Sequence, residues 1–573
     1  MIMNYLKLLI GFIGLSAFLW SCDNDDFLER YPLDQVTDAV FFKHSSDMEI
    51  YMNQFYNRGI FPLKYYSRGD VGSDIHMTGR SIDSRLEGTL TINAGPGLAY
   101  GSIRGVNYFF DNYKKCEDEF ETYKQYMGEA YFFRAYLYFG LLKNFGDVQW
   151  ISTVLETSSP ELFEARDPRN YVADKIIADL DSAALYLSNE KTNGHSRLNK
   201  WTALLLQSRV ALYEGTWEKY HANDPFGVDN PQPEKYFNKV VEATEKIMNS
   251  GLYDIYSTGS PETDYVDLFG LRDYSNNSEV MFWSKMNIDL GVHSHRTLDY
   301  LSWPRAMGLT KSLADSYLCV DGQPIAVSPL FQGYATIATE ATNRDPRFYQ
   351  TIFTPDAPWL IKDGNTTNWV YIYNKLFTNE DLTAPTGYQR RKDYNPNAVY
   401  HDMNFEETPS IQFRYAEVLL NFVEAKAELG SLIQNDIDRS VKKLRDRVGM
   451  PNLQINSIVP DPNWEFPDLS PVINEIRRER KIELVLEEFR FDDIARWAAA
   501  DELLVGKRPK GAKSDQFSIT PPYSDDENGF IDPFGTALPN GYGFNINRDY
   551  LYPIKETELV LNPNLGQNPG WDD

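Results

Sequence analysis

The chain has 573 residues, 42% of them hydrophobic and 14% aromatic, so it can bury a large core; its formal net charge is −26. A surface this acidic repels nucleic acid, whose capture needs clustered Lys and Arg, so nucleic-acid binding is excluded. Beyond the first two dozen residues, no apolar run reaches the ~20 residues that a membrane-spanning helix needs.

The first element in the chain is a leader. Lys7 precedes the apolar run Leu8–Trp20, whose 13 residues would cross, as a helix, only about two-thirds of a ~30 Å hydrocarbon core. A basic start, a short apolar middle and small Ser21 at the end mark residues 1–21 as a secretory signal peptide. Leu19-Trp20-Ser21-Cys22 resembles the lipobox of bacterial lipoproteins, in which the cysteine is lipidated and becomes the new N-terminus. Trp20 departs from that pattern, and an ordinary signal peptide ahead of a coincidental cysteine is the alternative. Asp23-Asn24-Asp25-Asp26 resembles the acidic signal that sends lipoproteins of the Bacteroidetes group to the outer face of the outer membrane; a solvated tether has the same composition. Two other cysteines, Cys116 and Cys319, are far apart, and spacing does not decide between a disulfide and two thiols.

Helices dominate the rest of the chain. The spacing of apolar residues predicts them at Ser46–Asn57, Gly101–Lys115, Glu119–Asn144, Pro168–Ser188, Leu198–Trp217, Glu234–Asn249, Ile411–Leu429, Asp436–Val448 and Pro471–Ala500. Glu119–Asn144 is apolar nearly all round after Gly128 and should be buried, so Glu129 and Arg134 within it are expected to pair with neighbouring helices. Asn199 is placed to cap its helix, with Gly215 near the end. Small residues at Ala130, Ala135, Ala203, Ala211, Ala416 and Ala425 suit antiparallel helix pairs of a degenerate tetratricopeptide kind, without that repeat's fixed period. In Pro471–Ala500, Arg480, Glu483 and Glu487 fall on one side and are expected to form a salt-bridged helix face rather than a catalytic site. Between the helices run loop-rich stretches at about 67–100, 253–309, 321–408 and 506–550, too aromatic for disorder. No low-complexity linker divides residues 22–573, so one domain is expected.

Several motifs in order resemble the SusD/RagB family of outer-membrane nutrient-binding lipoproteins. They are "FLERYPLDQVTDAVFF", "SIRGVNYFFDNY" with "YMGEAYFFRAYLYFGLLKNFGDVQWI", "RLNKWTALLLQSRVALYEG", "SLADSYLCVDGQPI", "RDPRFYQTIF", "QFRYAEVLLNFVEAKAELG", "INEIRRERKIELVLEEFRFDDIARW" and "YLYPIKETELVLNPNLGQNPGW". The resemblance implies a mainly α fold, with tetratricopeptide-like helix pairs as scaffold and a loop-rich ligand-binding part. It also implies a partner, a TonB-dependent transporter of the SusC type, and an oligosaccharide cargo, with peptides taken by some members.

No G-x-S-x-G or H-E-x-x-H is present, and Gly95–Gly101 fails the dinucleotide fingerprint. His293-Ser294-His295 lacks further ligands at zinc-like spacing, and Ser524–Asp532 fails the calcium-loop template, so no metal or cofactor is expected. A sugar needs an aromatic face with polar groups at its edge. Two loops have that mixture. In "YYSRGDVGSDIHMTGRSIDSR", Asp74 and Arg80 resemble polar ligand-contacting residues of the family, although the tryptophan that the family often places ahead of Tyr100 is replaced by Gly95-Pro96-Gly97. In "HSHRTLDYLSWPRAMG", Tyr300 and Trp303 are the candidate platform and Arg296 and Asp299 its edge, with Trp359 a further candidate. The reading is a non-catalytic glycan binder at the cell surface. Capture of peptides by the same scaffold is the alternative, and a secreted glycosidase would need two carboxyls facing across a cleft.

Overall fold

A computed structural model describes residues 41–63, 69–402 and 404–572, without the side chains of Thr192, Asn193, Asp299 and Tyr300. The leader, Cys22 and the acidic run after it lie outside the described residues.

The architecture is mainly α. The scaffold helices are α1 (Ser45–Asn53), α2 (Gly101–Asn112), α3 (Phe120–Phe145), α4 (Arg169–Tyr186), α5 (Lys200–Tyr220), α6 (Pro233–Asn249), α7 (Tyr415–Glu428) and α8 (Pro471–Glu483). Each of α3 to α6 packs along the next, α6 packs on α7, and α7 on α8, with α1 and α2 laid against α3. This is the expected run of antiparallel helix pairs. It encloses a large apolar core that includes Phe132, Tyr138, Leu142, Leu180, Leu205 and Trp217. Gly128 makes one crossing possible, because a Cβ there would stand 2.9 Å from the backbone nitrogen of Leu187 at the end of α4. Gly215 does not end α5, which runs on to Tyr220. It lies against α6, where a Cβ would meet Phe237 at 2.9 Å.

Asn199 caps α5 as expected, its side chain accepting from the backbone nitrogens of Trp201 and Thr202 at 3.0 and 3.1 Å. Thr202 Oγ1 accepts in return from the Asn199 nitrogen at 3.0 Å. Asn199→Ala is therefore expected to cost about 1–2 kcal/mol in urea unfolding, and Asn199→Ser to recover most of it.

Several predicted helices are shorter than their sequence pattern, the first of them ending at Asn53 rather than Asn57. Residues Ser410–Arg414 form a strand, β6, paired antiparallel with β2 (Val280–Ser284), and α7 starts only at Tyr415. Pro471–Ala500 breaks after Glu483, where Leu486 and Glu488 take left-handed φ values of 67° and 68°. Buried Asp70 holds that turn by accepting from the backbone nitrogens of Leu486 (2.5 Å) and Arg490 (3.2 Å). The segment Asp436–Val448 is likewise two short helices, Gln434–Asp438 and Val441–Arg447.

The expected one-sided salt-bridged face on α8 is also replaced. Arg480 reaches Asp493 (3.0 Å) and Asn421 (2.8 Å), not Glu483. Glu483 turns inward to Arg347, Arg414 and Arg447, and Glu487 lies beyond the helix, bound to Lys392 and Arg414. In α3, Arg134 pairs with a neighbouring helix as expected, binding Asp179 of α4, whereas Glu129 binds Arg197 in the loop ahead of α5, each at 2.7 Å. Cys116 and Cys319 are both free.

The loop-rich part rests on a second apolar core that includes Leu298, Leu309, Tyr317, Phe348, Phe353 and Trp369. Its regular pairings include short two-stranded ribbons: β1 (His76–Thr78) with β3 (Met307–Leu309), and β4 (Pro358–Lys362) with β5 (Asn365–Asn368). A hairpin, β7 (Ser524–Asp525) with β8 (Ile531–Asp532), occupies the acidic segment that fails the calcium-loop template, and Asp526 there accepts from the nitrogens of Asn528 and Phe530.

Candidate functional site

The ribbon β1–β3 brings together the two loops that carry the candidate ligand residues. Its register pairs Thr78 with Met307, and the strand pairing extends one step to Gly79, whose nitrogen donates to Ala306 O at 2.7 Å. Arg80 and the turn Trp303-Pro304-Arg305-Ala306 therefore share one end of the ribbon. Arg305 and Ala306 both have positive φ, 49° and 63°, which reverses the chain directly after the tryptophan. At this end Arg80 pairs with Glu380 (3.2 Å) and Arg305 with Asp381 (3.7 Å).

Trp303 and Trp359 are half-buried, with one side packed on the second core. Their rings meet edge to face, with centroids 6.3 Å apart and planes at 80°, and Trp359 stacks on Tyr371 at 5.5 Å and 28°. Trp359 is fixed at both ends: Nε1 donates to Ser302 O (3.0 Å), and its carbonyl accepts from Tyr394 Oη (2.5 Å). The corner opens into a recess of about 140 Å³ lined by Ser302, Trp303, Trp359, Tyr394, His401 and Glu406. Burial raises the Glu406 carboxyl above its usual range, against the pull of hydrogen bonds from the backbone of Leu298 and Thr297. The recess is smaller than the ~300–1,000 Å³ of an enclosed small-molecule pocket. It suits one ring of a longer ligand, with an apolar face on each wall and acceptors or donors at the rim.

Arg296 is half-buried at the start of the short helix Thr297–Ser302, with a left-handed φ of 53°. Asp299 and Tyr300 lie in that helix, and their side chains are outside the described residues. Asp74 is not brought to the recess. It lies at the opposite end of the ribbon, where both carboxylate oxygens are taken by buried Arg490 (2.6 and 2.8 Å) and Ser312 adds a third bond at 3.1 Å. Burial there would raise its pKa, but Arg490 and Lys481 overcome that and hold it well below the usual carboxylate range. Sequence reasoning missed Tyr371, Tyr394, His401 and Glu406. The aromatic cluster "NWVYIYNKL" is the available signal for Tyr371, but nothing local links it to Trp359.

Curated relatives align along nearly the whole chain. "SusD-like protein P2" of Formosa agariphila is 25% identical over 585 residues, covering 99% of this chain and 100% of its own. A "SusD-like protein" of Bacteroides ovatus is 23% identical, over 98% and 97%. Among solved structures, a SusD-like carbohydrate binding protein of Bacteroides fragilis superposes with a TM-score of 0.70 at 20% identity, over 92% of this chain and all of the other. A second SusD-like protein of that organism gives 0.69 at 22%, over 94% and 100%. These structures share the fold. A sequence model described as "Starch-binding associating with outer membrane" matches residues 92–212, and the SusD family model matches residues 271–571. That second match spans more than half of the chain, and the chain belongs to the SusD family.

Proposed function

We propose that this protein is a non-catalytic binder of oligosaccharides at the outer membrane, tethered through lipid on Cys22 and facing outward, which passes its ligand to a TonB-dependent transporter of the SusC type. The observation that carries the reading is the Trp303–Trp359 corner: two half-exposed indoles close to perpendicular, Trp359 held by the Ser302 carbonyl and the Tyr394 hydroxyl, with the Arg80–Glu380 pair at the same end of the ribbon. Rigid aromatic faces beside hydrogen-bonding edges match the alternating C–H and hydroxyl surfaces of a sugar ring. The naming of a structural neighbour as carbohydrate binding and the outer-membrane description of a matching family model support it. Capture rather than cleavage is favoured because Glu406 is the one carboxylate lining the recess among the described residues, whereas glycoside hydrolysis takes two facing carboxyls.

The test is calorimetry of the mature chain against a panel of oligosaccharides and peptides, with Trp303→Ala alongside. Binding of at least one glycan, weakened tenfold or more by Trp303→Ala (~1.4 kcal/mol), is the expected result. Peptide binding with no response to sugars moves the reading to the peptide alternative.

A further inference from the structure

We propose that a second recess, between the short helix Lys311–Ser316, the segment 325–334 and the loop 461–466, is a separate carbohydrate site for a short neutral oligosaccharide. It rests on the reading of the protein as a glycan binder, but not on the Trp303 corner. Its volume is about 600 Å³, within the ~300–1,000 Å³ range of small-molecule sites. The two recesses share no lining residue. They lie toward opposite ends of the β1–β3 ribbon, where Met307 and Lys311 are four residues apart, about 13 Å of extended chain.

The chemistry of the walls selects the ligand. Phe331, Tyr334 and Trp464 offer half-buried aromatic surface, and Phe466 is buried at the base. Three cations and three carboxylates line the same space, and each is already answered: Lys311 by Asp315, Arg478 by Asp461, and Lys481 by Glu465. A charged ligand meets no net opposite charge there and has to separate a pair to bind. A hydroxyl can donate to the carboxylate and accept from the cation of one pair together, leaving both paired. Tyr334 Oη, bound to Asp315 at 3.0 Å, extends this row of alternating donors and acceptors.

The base is fixed before any ligand arrives. Buried Lys481 donates to Ser312 O (2.9 Å), Ser312 Oγ (3.0 Å) and Glu465 (2.5 Å), and Glu465 also binds Arg490 at 3.0 Å. Asp74 stands behind this wall, bound to both Ser312 and Arg490, so its part is to position the base of the recess. Trp464 contributes one more feature: its indole nitrogen is buried with no partner among the described residues, an unanswered donor on a residue that lines the recess.

The experiment titrates the mature chain with glucose, galactose, mannose, maltose and cellobiose, following ligand signals by saturation-transfer NMR and affinity by calorimetry. Ala326→Trp, at an exposed lining position, plugs the mouth, and Tyr334→Phe removes one hydroxyl should the plugged variant not fold. The expected result is that Trp303→Ala retains binding of at least one of these sugars, and that Ala326→Trp abolishes this remainder or Tyr334→Phe weakens it about fivefold. Binding lost in Trp303→Ala and unchanged in Ala326→Trp overturns the second site and leaves the Trp303 reading standing. Binding unchanged in Trp303→Ala but lost in Ala326→Trp does the reverse. Binding of glucuronate or sulfated sugars with no neutral sugar bound refutes the charge argument, and no binding of any sugar removes both sites.

Discussion

Glu483→Gln is expected to destabilise the protein by about 3–5 kcal/mol, among the largest effects of any single substitution, without touching either recess. Glu483 is fully buried, and its two oxygens accept from three guanidinium groups: Arg414 at 2.8 Å, Arg447 at 2.7 and 2.8 Å, and Arg347 at 3.1 Å. Around it the charges balance. Arg347, Lys392, Arg414, Arg445 and Arg447 stand against Glu279, Asp345, Glu479, Glu483 and Glu487, all within hydrogen-bond distance of a partner. Burial would raise the Glu483 carboxyl, yet Arg447, Arg414 and Arg347 together hold it far below the usual range, so it is ionised in the folded state. An amide at this position removes the charge, turns an N–H₂ toward arginines that cannot accept, and leaves a net positive charge in the dry interior. The check is the denaturant midpoint of the variant at neutral pH, with Glu483→Asp as a charge-retaining control. A loss below about 1 kcal/mol would mean that water reaches the cluster and that its arginines are not truly desolvated.

The same cluster shows where sequence reading stops. Helix α5 is legible because everything that defines it is local: Asn199 at the cap, an unbroken apolar pattern and no proline. Ser410–Arg414 reads as helix because its apolar residues run straight into α7; that it pairs with Val280–Ser284 depends on a strand far away in the chain. The break after Glu483 has no Gly or Pro to mark it, since it is stabilised by Asp70 from the other end of the chain. Arg480, Glu483 and Glu487 read as partners because a helix sets its own neighbours at three and four residues. Their actual partners sit on Val441–Arg447, β6 and Arg490–Arg496, at distances that periodicity does not encode. For the site, the residue types in each loop are legible, but the ribbon that joins them is three residues long on each strand, below what alternation can signal. Asp74 and Arg80 lie six residues apart in one loop, and the ribbon sends them to its opposite ends.

Stability should peak near pH 5 and decline toward pH 8, the alkaline decline carried by buried acids, Asp70 and Glu340 among them, with Glu218 likewise pushed up to about 7 by burial. Burial pushes Asp70 up to about 7, more than the bonds from the Arg490 and Leu486 nitrogens and the charge of Lys392 pull it down, and Glu488 adds to the rise. Burial likewise pushes Glu340 up to about 7, with the Asp315 charge adding to the rise and Arg344, Tyr388 and Gln516 opposing it. Both groups hold a proton more tightly folded than unfolded. Their contribution is therefore fully present below about pH 4 and is lost as pH rises through 7. At ~1.36 kcal/mol for each pKa unit, up to about 3–4 kcal/mol is at stake for each group. Glu424 works in the opposite sense: burial would raise it, but Arg496 and Arg480 bring it down to about 2, so its contribution is full above its unfolded pKa near 4.5 and is lost as pH falls through 2. Between these limits, thermal unfolding of the mature chain should show a highest Tm near pH 5 and a fall of several degrees by pH 8. Glu340→Gln keeps the carbonyl that Tyr388 Oη bonds at 2.9–3.1 Å and removes that one titration, so it should lessen the alkaline fall without abolishing it, while leaving the acid limb in place. A Tm that is level or rising from pH 5 to 8 would show that both carboxyls are already ionised in the folded protein. In that case Asp70 holds the Leu486–Glu488 turn as an anion, with Lys392 and not a proton supplying its counter-charge.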